Sequence, residues 1–215
     1  MVAYNSNQGM NPVKSLSDKS YSANLMWFPI ASGYANNIFT GSPVTLTSGL
    51  VTNGVTTAWL TDLPILGSAR SFKDFTTGGT GIVAPSANQG VVPTTIQQYW
   101  VGGTVKPTGV QTYVGIQMDA DTLYDMQANS TLATGFLQSA SLTGFSFAPT
   151  NGFRSVDGNT STGYSTTRLV VGAGSGASNM QLINLSPNIG NAWGVALNNG
   201  LFKINNSTVY AAKSI

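Results

Sequence analysis

Glycine and proline recur along this chain at intervals so short that they leave little room for a long helix. The 215 residues include 25 glycines and nine prolines, which separate short apolar or alternating segments. Because proline lacks an amide hydrogen and glycine weakens a helix interior, this pattern favours short strands joined by turns. The sequence therefore predicts an all-β fold, namely a single-domain β-sandwich or β-barrel with long loops.

The strand candidates rest on alternation with period two and on the turn motifs that follow it. Residues 44–47 (VTLT) alternate as a half-buried strand does, and Ser48 and Gly49 then form a hairpin-type motif. Residues 76–89 are rich in glycine and predict a long loop, and residues 128–142 are the best place for one or two helical turns. Further strand candidates are residues 25–28, 38–39, 65–67, 96–101, 112–118, 122–128, 144–148, 166–171, 180–185, 193–197 and 201–204.

Residues 1–24 differ from the rest of the chain. They are polar, contain several turn formers and show no hydrophobic period, and Lys14 and Lys19 lie near their end. The sequence therefore predicts an extended N-terminal arm over residues 1–24 and a β-sandwich or barrel body over residues 25–215. We expect such an arm to become ordered by lying against a neighbouring molecule.

Missing residue types limit the chemistry that this chain can perform. It contains no histidine, no cysteine and no glutamate, and all seven acidic residues are aspartates. A Ser-His-Asp or Cys-His catalytic arrangement and a His/Cys zinc site are therefore excluded. The sequence predicts a protein that is not an enzyme, with no catalytic, cofactor-binding or metal-binding residues and no small-molecule substrate.

Charge is scarce, and its scarcity has two interpretations. Only 7% of the residues are charged, with a net charge of +2. The outer faces could simply carry Ser, Thr and Asn, or much of the surface could lie against other subunits, where charge is costly to desolvate. The charge is too scattered to predict a nucleic-acid partner, and the uncharged stretches are too polar for membrane helices. Because signal-peptide and cysteine patterns are missing, we expect assembly in a reducing cytoplasm.

Two motifs resemble ligand sites. Asp119, Asp121 and Asp125 form the densest acidic cluster, which could bind a hard cation, support a hydrolase, or cap a turn that leads into a strand. The spacing lacks the third alternating ligand and the later acidic residue of an EF-hand, which favours the turn. Residues 172–177 (GAGSGA) resemble a dinucleotide loop, but no acidic residue follows them, so they predict a flexible loop.

Aromatic residues concentrate in two groups, Trp27-Phe28 with Tyr34 and Phe39, and Tyr99-Trp100. Aromatic side chains of this kind serve as interface anchors, as sugar-stacking platforms or as core residues. Core packing is the commonest of these roles. The candidates for an interface, including those in the arm, are Tyr4, Met10, Lys14, Lys19, Trp27, Phe28, Tyr34, Tyr99 and Trp100.

Four segments together carry a family resemblance. The most specific is residues 27–44 (WFPIASGYANNIFTGSPV), and the others are residues 98–104 (QYWVGGT), 119–128 (DADTLYDMQA) and 158–165 (GNTSTGYS). In these segments the chain resembles a family of structural proteins of tailed bacteriophages that is frequent in marine and cyanobacterial phages. It departs from the family at Asp125, where the family has glutamate, and over residues 68–92, which do not match.

The resemblance implies a virion protein and, most specifically, a capsid decoration (cement) protein. Such a protein binds the major capsid protein on the capsid exterior and stabilises the head against the pressure of the packaged DNA. The resemblance also implies self-association, for which we expect a trimer. The alternative is a tail-fibre or receptor-binding, lectin-like module.

Overall fold

The computed structural model describes residues 9–16, 25–53, 66–76, 95–119, 121–128, 130–134, 146–148, 158–170, 180–188 and 190–204. Within these ranges the regular structure consists of β-strands and contains no α-helix, so the described part offers no helix that could cross a membrane. The predicted all-β fold is confirmed. The strands there are β1 (Asn11–Ser15), β2 (Met26–Pro29), β3 (Ile38–Phe39), β4 (Pro43–Thr47), β5 (Leu50–Asn53), β6 (Gly67–Thr76), β7 (Thr95–Gln97), β8 (Tyr99–Trp100), β9 (Val110–Gln117), β10 (Thr122–Gln127), β11 (Ser146–Ala148), β12 (Gly158–Asn159), β13 (Tyr164–Ser165), β14 (Arg168–Val170), β15 (Met180–Leu185) and β16 (Asn199–Ile204).

The larger sheet has the antiparallel order β2-β9-β6-β4-β5, and β7 also pairs with β6. A parallel bridge between Ile30 and Val51 joins the two ends of this order, so the sheet closes on itself as a barrel does. Alternate residues of β9 point inward, which places Val114 and Ile116 in the interior. The inner apolar cluster consists of Ile30, Ile38, Val44, Val51, Leu66, Ala69, Phe72, Trp100, Val114 and Ile116.

A second antiparallel sheet has the order β1-β10-β16-β15. One face of this sheet is buried, and its side chains belong to a second apolar cluster. Tyr124 and Met126 of β10 point into this cluster, while Asp125 between them points to the opposite face. The cluster consists of Met10, Tyr124, Met126, Ala128, Leu132, Leu169, Met180, Leu182, Phe202 and Ile204.

The two sheets are joined where β9 passes into β10. These strands follow each other in the chain but belong to different sheets, so the chain turns a corner between Gln117 and Thr122. The Tyr124 hydroxyl donates to the Gln117 carbonyl at 3.0 Å on one side of the junction, and the Ser68 hydroxyl donates to the Met10 carbonyl at 2.7 Å on the other. Hydrogen bonds therefore fix the sheets to each other at two places.

Local sequence explains the hairpin between β4 and β5. Thr47 pairs with Leu50, which leaves Ser48 and Gly49 as a two-residue loop. Both loop residues have positive φ, 52° and 78° respectively, as the type I′ turn requires. The predicted hairpin turn at this position is confirmed.

Part of the predicted arm belongs to the body. Residues 11–15 form β1, an edge strand paired with β10, and Met10 is fully buried in the second cluster. Residues 9–16 therefore contribute to the chain's own sheet. The reason is that Met10 and Pro12 add apolar surface to that sheet. Residues 1–8 and 17–24 lie outside the described residues.

Two local predictions were wrong or only partly tested. Residues 193–197 were expected to be a strand, but they form successive turns in which Gly194 and Leu197 have positive φ, and positive φ is incompatible with a strand. Residues 130–134, inside the segment proposed for helical turns, contain no α-helical turn, and Thr134 has a 3₁₀ conformation. Residues 129 and 135–142 of that segment lie outside the described residues. The predicted loops at residues 77–89 and 172–177 lie outside the described residues.

Candidate interaction surface

Two loops lie side by side at one end of the larger sheet, residues 31–37 after β2 and residues 101–109 between β8 and β9. We call them the two-loop surface. Direct hydrogen bonds connect the two loops to each other, in addition to side-chain packing. The bonds are Gly33 N to Thr104 O at 2.8 Å, Gly103 N to Tyr34 O at 2.7 Å, Gly102 N to Asn37 Oδ1 at 2.7 Å and Lys106 N to Ser32 Oγ at 3.0 Å.

Trp100 connects the two-loop surface to the interior of the larger sheet. Its indole is fully buried in the inner cluster of the larger sheet. Its Nε1 donates to the Tyr34 carbonyl at 3.2 Å, and the same carbonyl accepts the Gly103 amide. One buried side chain therefore connects the hydrophobic core to both loops. Trp100 therefore contributes to the position of the loops relative to the sheet.

Gly102 lets the two loops approach each other closely. A Cβ atom at this position would fall on the carbonyl oxygen of Ala35. Neighbouring Gly103 has a φ of 78°, but a Cβ there would meet open space. The two adjacent glycines are therefore present for different reasons, close approach in the first case and backbone conformation in the second.

We expect Gly102→Ala to lower the free energy of unfolding by about 2–3 kcal/mol, because the added methyl group must push the loops apart. Gly103→Ala is the matched control and should cost only about 1 kcal/mol, the conformational penalty of positive φ. Urea denaturation of the two variants and the wild type measures the difference. Equal losses in the two variants would contradict the close contact between Gly102 and Ala35.

The two-loop surface carries a single charged residue, Lys106, and this charge is paired. The Lys106 ammonium lies 2.7 Å from an Asp74 carboxylate oxygen, and the two side chains are only 11% and 7% exposed. Thr112 Oγ1 donates to the other carboxylate oxygen at 2.5 Å. The ammonium also lies 5.8 Å from the centre of the Trp100 ring. The outward side of the two loops is therefore electrically neutral.

Apolar side chains project from this neutral surface. Val105 is 76% exposed and Val101 is 49% exposed, and Ala35 and Pro107 are exposed beside them. Valine side chains that are this exposed add little stability to a free monomer, and neighbouring exposed apolar groups mark contact sites. A rigid, uncharged, apolar surface loses little conformational entropy and little charge solvation when a partner covers it. Its geometry suits protein–protein contact.

A small hairpin packs against the strands β3 and β8 that lead into the two loops. Strands β12 and β13 lie beside β3, where the Thr40 amide donates to the Gly163 carbonyl at 3.0 Å. Phe39 of β3 stacks on Tyr99 with ring centres 4.9 Å apart, and a Cβ on Gly158 would clash with the Phe39 ring, 2.1 Å from its nearest atom. The hairpin presents Tyr164, which is exposed. Residues 27–44, 98–104 and 158–165, which are distant in sequence, therefore pack together.

The predicted interface residues have different positions in the structure. Met10 and Trp100 are fully buried, so they belong to the cores and add no exposed surface. Phe28 and Tyr34 are partly buried against the inner cluster of the larger sheet. Lys14 is exposed on β1. Trp27 and Tyr99 are also partly buried, whereas Tyr4 and Lys19 lie outside the described residues.

Trp27 belongs to an aromatic group on the outer face of the larger sheet. Its ring meets Phe75 edge-on at 6.3 Å, and Phe75 meets Tyr113 edge-on at 5.5 Å. The Lys73 ammonium lies 4.7 Å from the centre of the Trp27 ring. The Tyr113 hydroxyl is buried without a hydrogen-bond partner in the described part of the chain. Burial raises the pKa of the Tyr113 phenol above its usual value, so this group is neutral at physiological pH.

The acidic cluster is divided by the corner between the sheets. The Asp121 amide donates to the Asp119 carboxylate at 3.0 Å, the arrangement of an aspartate that caps a turn. Asp125 lies on β10, where its carboxylate accepts hydrogen bonds from Ser186, Asn188 and Asn199 at 2.9–3.1 Å. Among the described residues, no three side chains of the His, Cys, Asp or Glu type are arranged to hold a metal ion.

Sequence reasoning missed the residues that define the two-loop surface, namely Val101, Val105 and the Asp74–Lys106 pair. Residues 101–109 (VGGTVKPTG) have the composition of a turn-rich connection, and connections usually carry polar side chains. The signal that could have identified them is the presence of two valines in a segment otherwise made of turn formers, where no hydrophobic period buries them.

Comparison of the chain with protein-family models, with curated proteins and with solved structures found no significant match.

Proposed function

We propose that this chain is a structural protein of a virus particle, a capsid decoration (cement) protein of a tailed bacteriophage. In this proposal the two-loop surface is the part that contacts the outer capsid lattice. The observation that carries the proposal is the exposure of Val101 and Val105 on a rigid surface whose single charge is neutralised by Asp74. The segments at residues 27–44 and 98–104, which carry much of the resemblance to phage structural proteins, supply the first loop and the beginning of the second, including Val101.

Physical properties of the two-loop surface favour a contact with protein. Burying a valine side chain gains about 1.5–3 kcal/mol relative to full exposure, and the hydrogen bonds between the loops reduce the ordering cost of binding. The gain at one site is modest. A decoration protein repeats its contact many times over a shell, so a modest gain at each site stabilises the particle substantially.

The edge strand β1 argues against attachment by strand addition. It carries Pro12, a bulge at Val13 where the register with β10 shifts, and the exposed charge of Lys14. Proline, bulges and lysine on an edge each disfavour pairing with a strand of another chain. We therefore propose that contact with the capsid is made by side chains of the two loops.

The double variant Val101→Asp/Val105→Asp tests the docking surface. We expect its apparent dissociation constant for heads that lack this protein to rise more than about tenfold, because two carboxylates would have to be desolvated in the contact. Co-sedimentation with purified heads measures the binding. Val13→Asp is the matched control, since Val13 is an exposed valine on β1, and it should bind as the wild type does.

Two results would contradict the proposal. Unchanged binding of the double variant would show that the two-loop surface is not the docking site. Recovery of the protein with tails rather than heads, or specific binding to a glycan array without binding to heads, would instead indicate the tail-fibre or receptor-binding role. A positive result should be accompanied by a higher temperature of DNA release from decorated heads.

A further inference from the structure

The first described segment of the chain, residues 9–16, is held by residues that lie far from it in the sequence. We call it the N-terminal segment. Its strand β1 pairs with β10, and β10 is its one strand neighbour in the described part of the chain. Just before β1, the Met10 amide donates to the Gly41 carbonyl at 2.8 Å, and the Met10 carbonyl accepts from the Ser68 hydroxyl at 2.7 Å. The N-terminal segment therefore contacts both sheets.

The site that receives this segment fits its sequence closely. Met10 is fully buried in the apolar cluster of the second sheet. Gly9 has a φ of 64°, and a Cβ atom at this position would overlap the Gly41 carbonyl oxygen and the Ser165 side chain. Glycine is thus required beside the buried methionine. Because the site selects this sequence, a second copy of the chain carries a segment that fits it equally well.

The N-terminal segment can pair with another strand along one edge only. Its free edge carries Pro12, the bulge at Val13 and the charge of Lys14, which disfavour the addition of a further strand. Its other edge forms the ladder with β10. A segment that leaves its own body can therefore regain all of its contacts on the β10 strand of another copy, and the blocked edge limits unspecific pairing.

Exchange of this segment between copies conserves its contacts. When two bodies trade their N-terminal segments, the same residues fill each receiving site, so the contact energies of the two arrangements are equal. The arrangements differ in the path of residues 17–24, which lie outside the described residues, and in the entropy of bringing chains together. A high local concentration offsets that entropy. Exchange is therefore favoured wherever copies of the chain are crowded.

We propose that residues 9–16 are exchanged between copies of this chain, so that the segment of one copy occupies the receiving site of another. The occupant of the site is fixed by the contacts of Met10, Gly9 and β1. Exchange gives the arm expected from the sequence a defined place on a neighbouring molecule. A closed ring of three donors gives the expected trimer, and reciprocal exchange gives a dimer. This inference does not rest on the proposed function, since it concerns the purified chain.

A pair of introduced cysteines reports on exchange directly, because the chain has no cysteine of its own. Ser15 and Thr122 are opposite each other on β1 and β10, a placement that allows a disulfide after substitution. In Ser15→Cys/Thr122→Cys, a disulfide within one chain leaves a monomer, whereas exchange links different chains. We expect covalent dimers or trimers on non-reducing gels. Their share should rise at least about tenfold when the refolding concentration is raised about a hundredfold.

A second cysteine pair is the matched control. Gln181→Cys/Lys203→Cys joins β15 to β16, away from the N-terminal segment, and should form disulfides within one chain at both concentrations. The single variant Ser15→Cys should give no concentration-dependent trimers and few dimers. Circular dichroism of each reduced variant checks the fold. If Ser15→Cys/Thr122→Cys does not fold, the neighbouring opposite pair Lys14→Cys/Leu123→Cys takes its place.

Disulfides that stay within one chain at both refolding concentrations would overturn the inference. An equal share of covalent dimers in Gln181→Cys/Lys203→Cys or in Ser15→Cys alone would overturn it too, because random contact would then explain the links. Failure of this inference is distinguishable from failure of the proposed function. A chain that exchanges its segment but does not bind heads refutes the proposed function alone, and a chain that binds heads but links only internally refutes exchange alone.

Discussion

Lys106→Met is expected to lower the free energy of unfolding by about 3 kcal/mol, although it replaces a loop residue by one of similar length. The substitution removes the ammonium that lies 2.7 Å from the Asp74 carboxylate. Asp74 remains buried inside the barrel, and a buried carboxylate that has lost its counter-charge is costly. Chemical denaturation at neutral pH measures the loss of unfolding free energy. Without the Asp74–Lys106 ion pair, the two-loop surface should also become less ordered.

The double variant Asp74→Asn/Lys106→Met is the decisive control. It removes both charges, so the large desolvation penalty disappears, while the carboxamide oxygen introduced at position 74 can still accept the hydrogen bond from the Thr112 hydroxyl. We expect it to recover most of the stability that Lys106→Met loses. If the double variant is as unstable as the single one, the loss comes from packing of the lysine stem, and the ion pair is not what stabilises the loop.

Trp100→Ala should be the most destabilising single substitution in the inner apolar cluster, with a cost of about 4 kcal/mol. The indole is fully buried in the inner cluster, so its removal leaves a cavity. It also removes the Nε1 hydrogen bond that fixes the Tyr34 carbonyl beneath the two loops. Thermal and urea denaturation give the stability, and hydrogen exchange of the Gly103 amide reports on the loop contact.

Trp100→Phe separates the two contributions of this side chain. Phenylalanine keeps most of the ring volume but has no N–H group, so we expect a smaller loss of about 2 kcal/mol. Exchange at the Gly103 amide should nevertheless be faster than in the wild type. Wild-type exchange in Trp100→Phe would mean that the indole N–H does not position the loops, and that Trp100 acts through packing alone.

The fold class and most strand positions were predictable because they depend on local signals. The strand at residues 180–185 agrees with its prediction at both ends, and Ser48-Gly49 has the chemistry that its turn requires. Strand pairing was not predictable, because partners such as β1 and β10 are chosen by tertiary packing. Residues 193–197 were misread for a related reason. Their apolar composition resembles a strand, but the Gly194 amide donates to the Leu132 carbonyl and the Leu197 carbonyl accepts from the Gln127 side chain, so neither group pairs with a neighbouring strand.

The candidate site was less predictable than the fold. Most of the nine interface candidates were aromatic, although core packing was the role expected of most aromatic residues, and two of the nine, Met10 and Trp100, are fully buried. Large apolar side chains serve cores and interfaces equally well, so their type does not distinguish the two roles. Val101, Val105 and Leu197 are exposed because of the loops that carry them, and loop geometry is not encoded by a hydrophobic period.

The strands on either side of the corner, β9 and β10, pair with strands that are distant in sequence. This pairing affects the order in which the chain can fold during synthesis. The N-terminal strands β1 and β2 pair with β10 and β9, which lie near the middle of the chain, and β10 in turn pairs with β16 close to the described C-terminal end. Contacts this distant in sequence slow folding. During synthesis β1 and β2 therefore remain unpaired until much of the chain has emerged from the ribosome. Pro12 and Lys14 on β1 would protect nascent chains on one polysome from joining their edges during that interval.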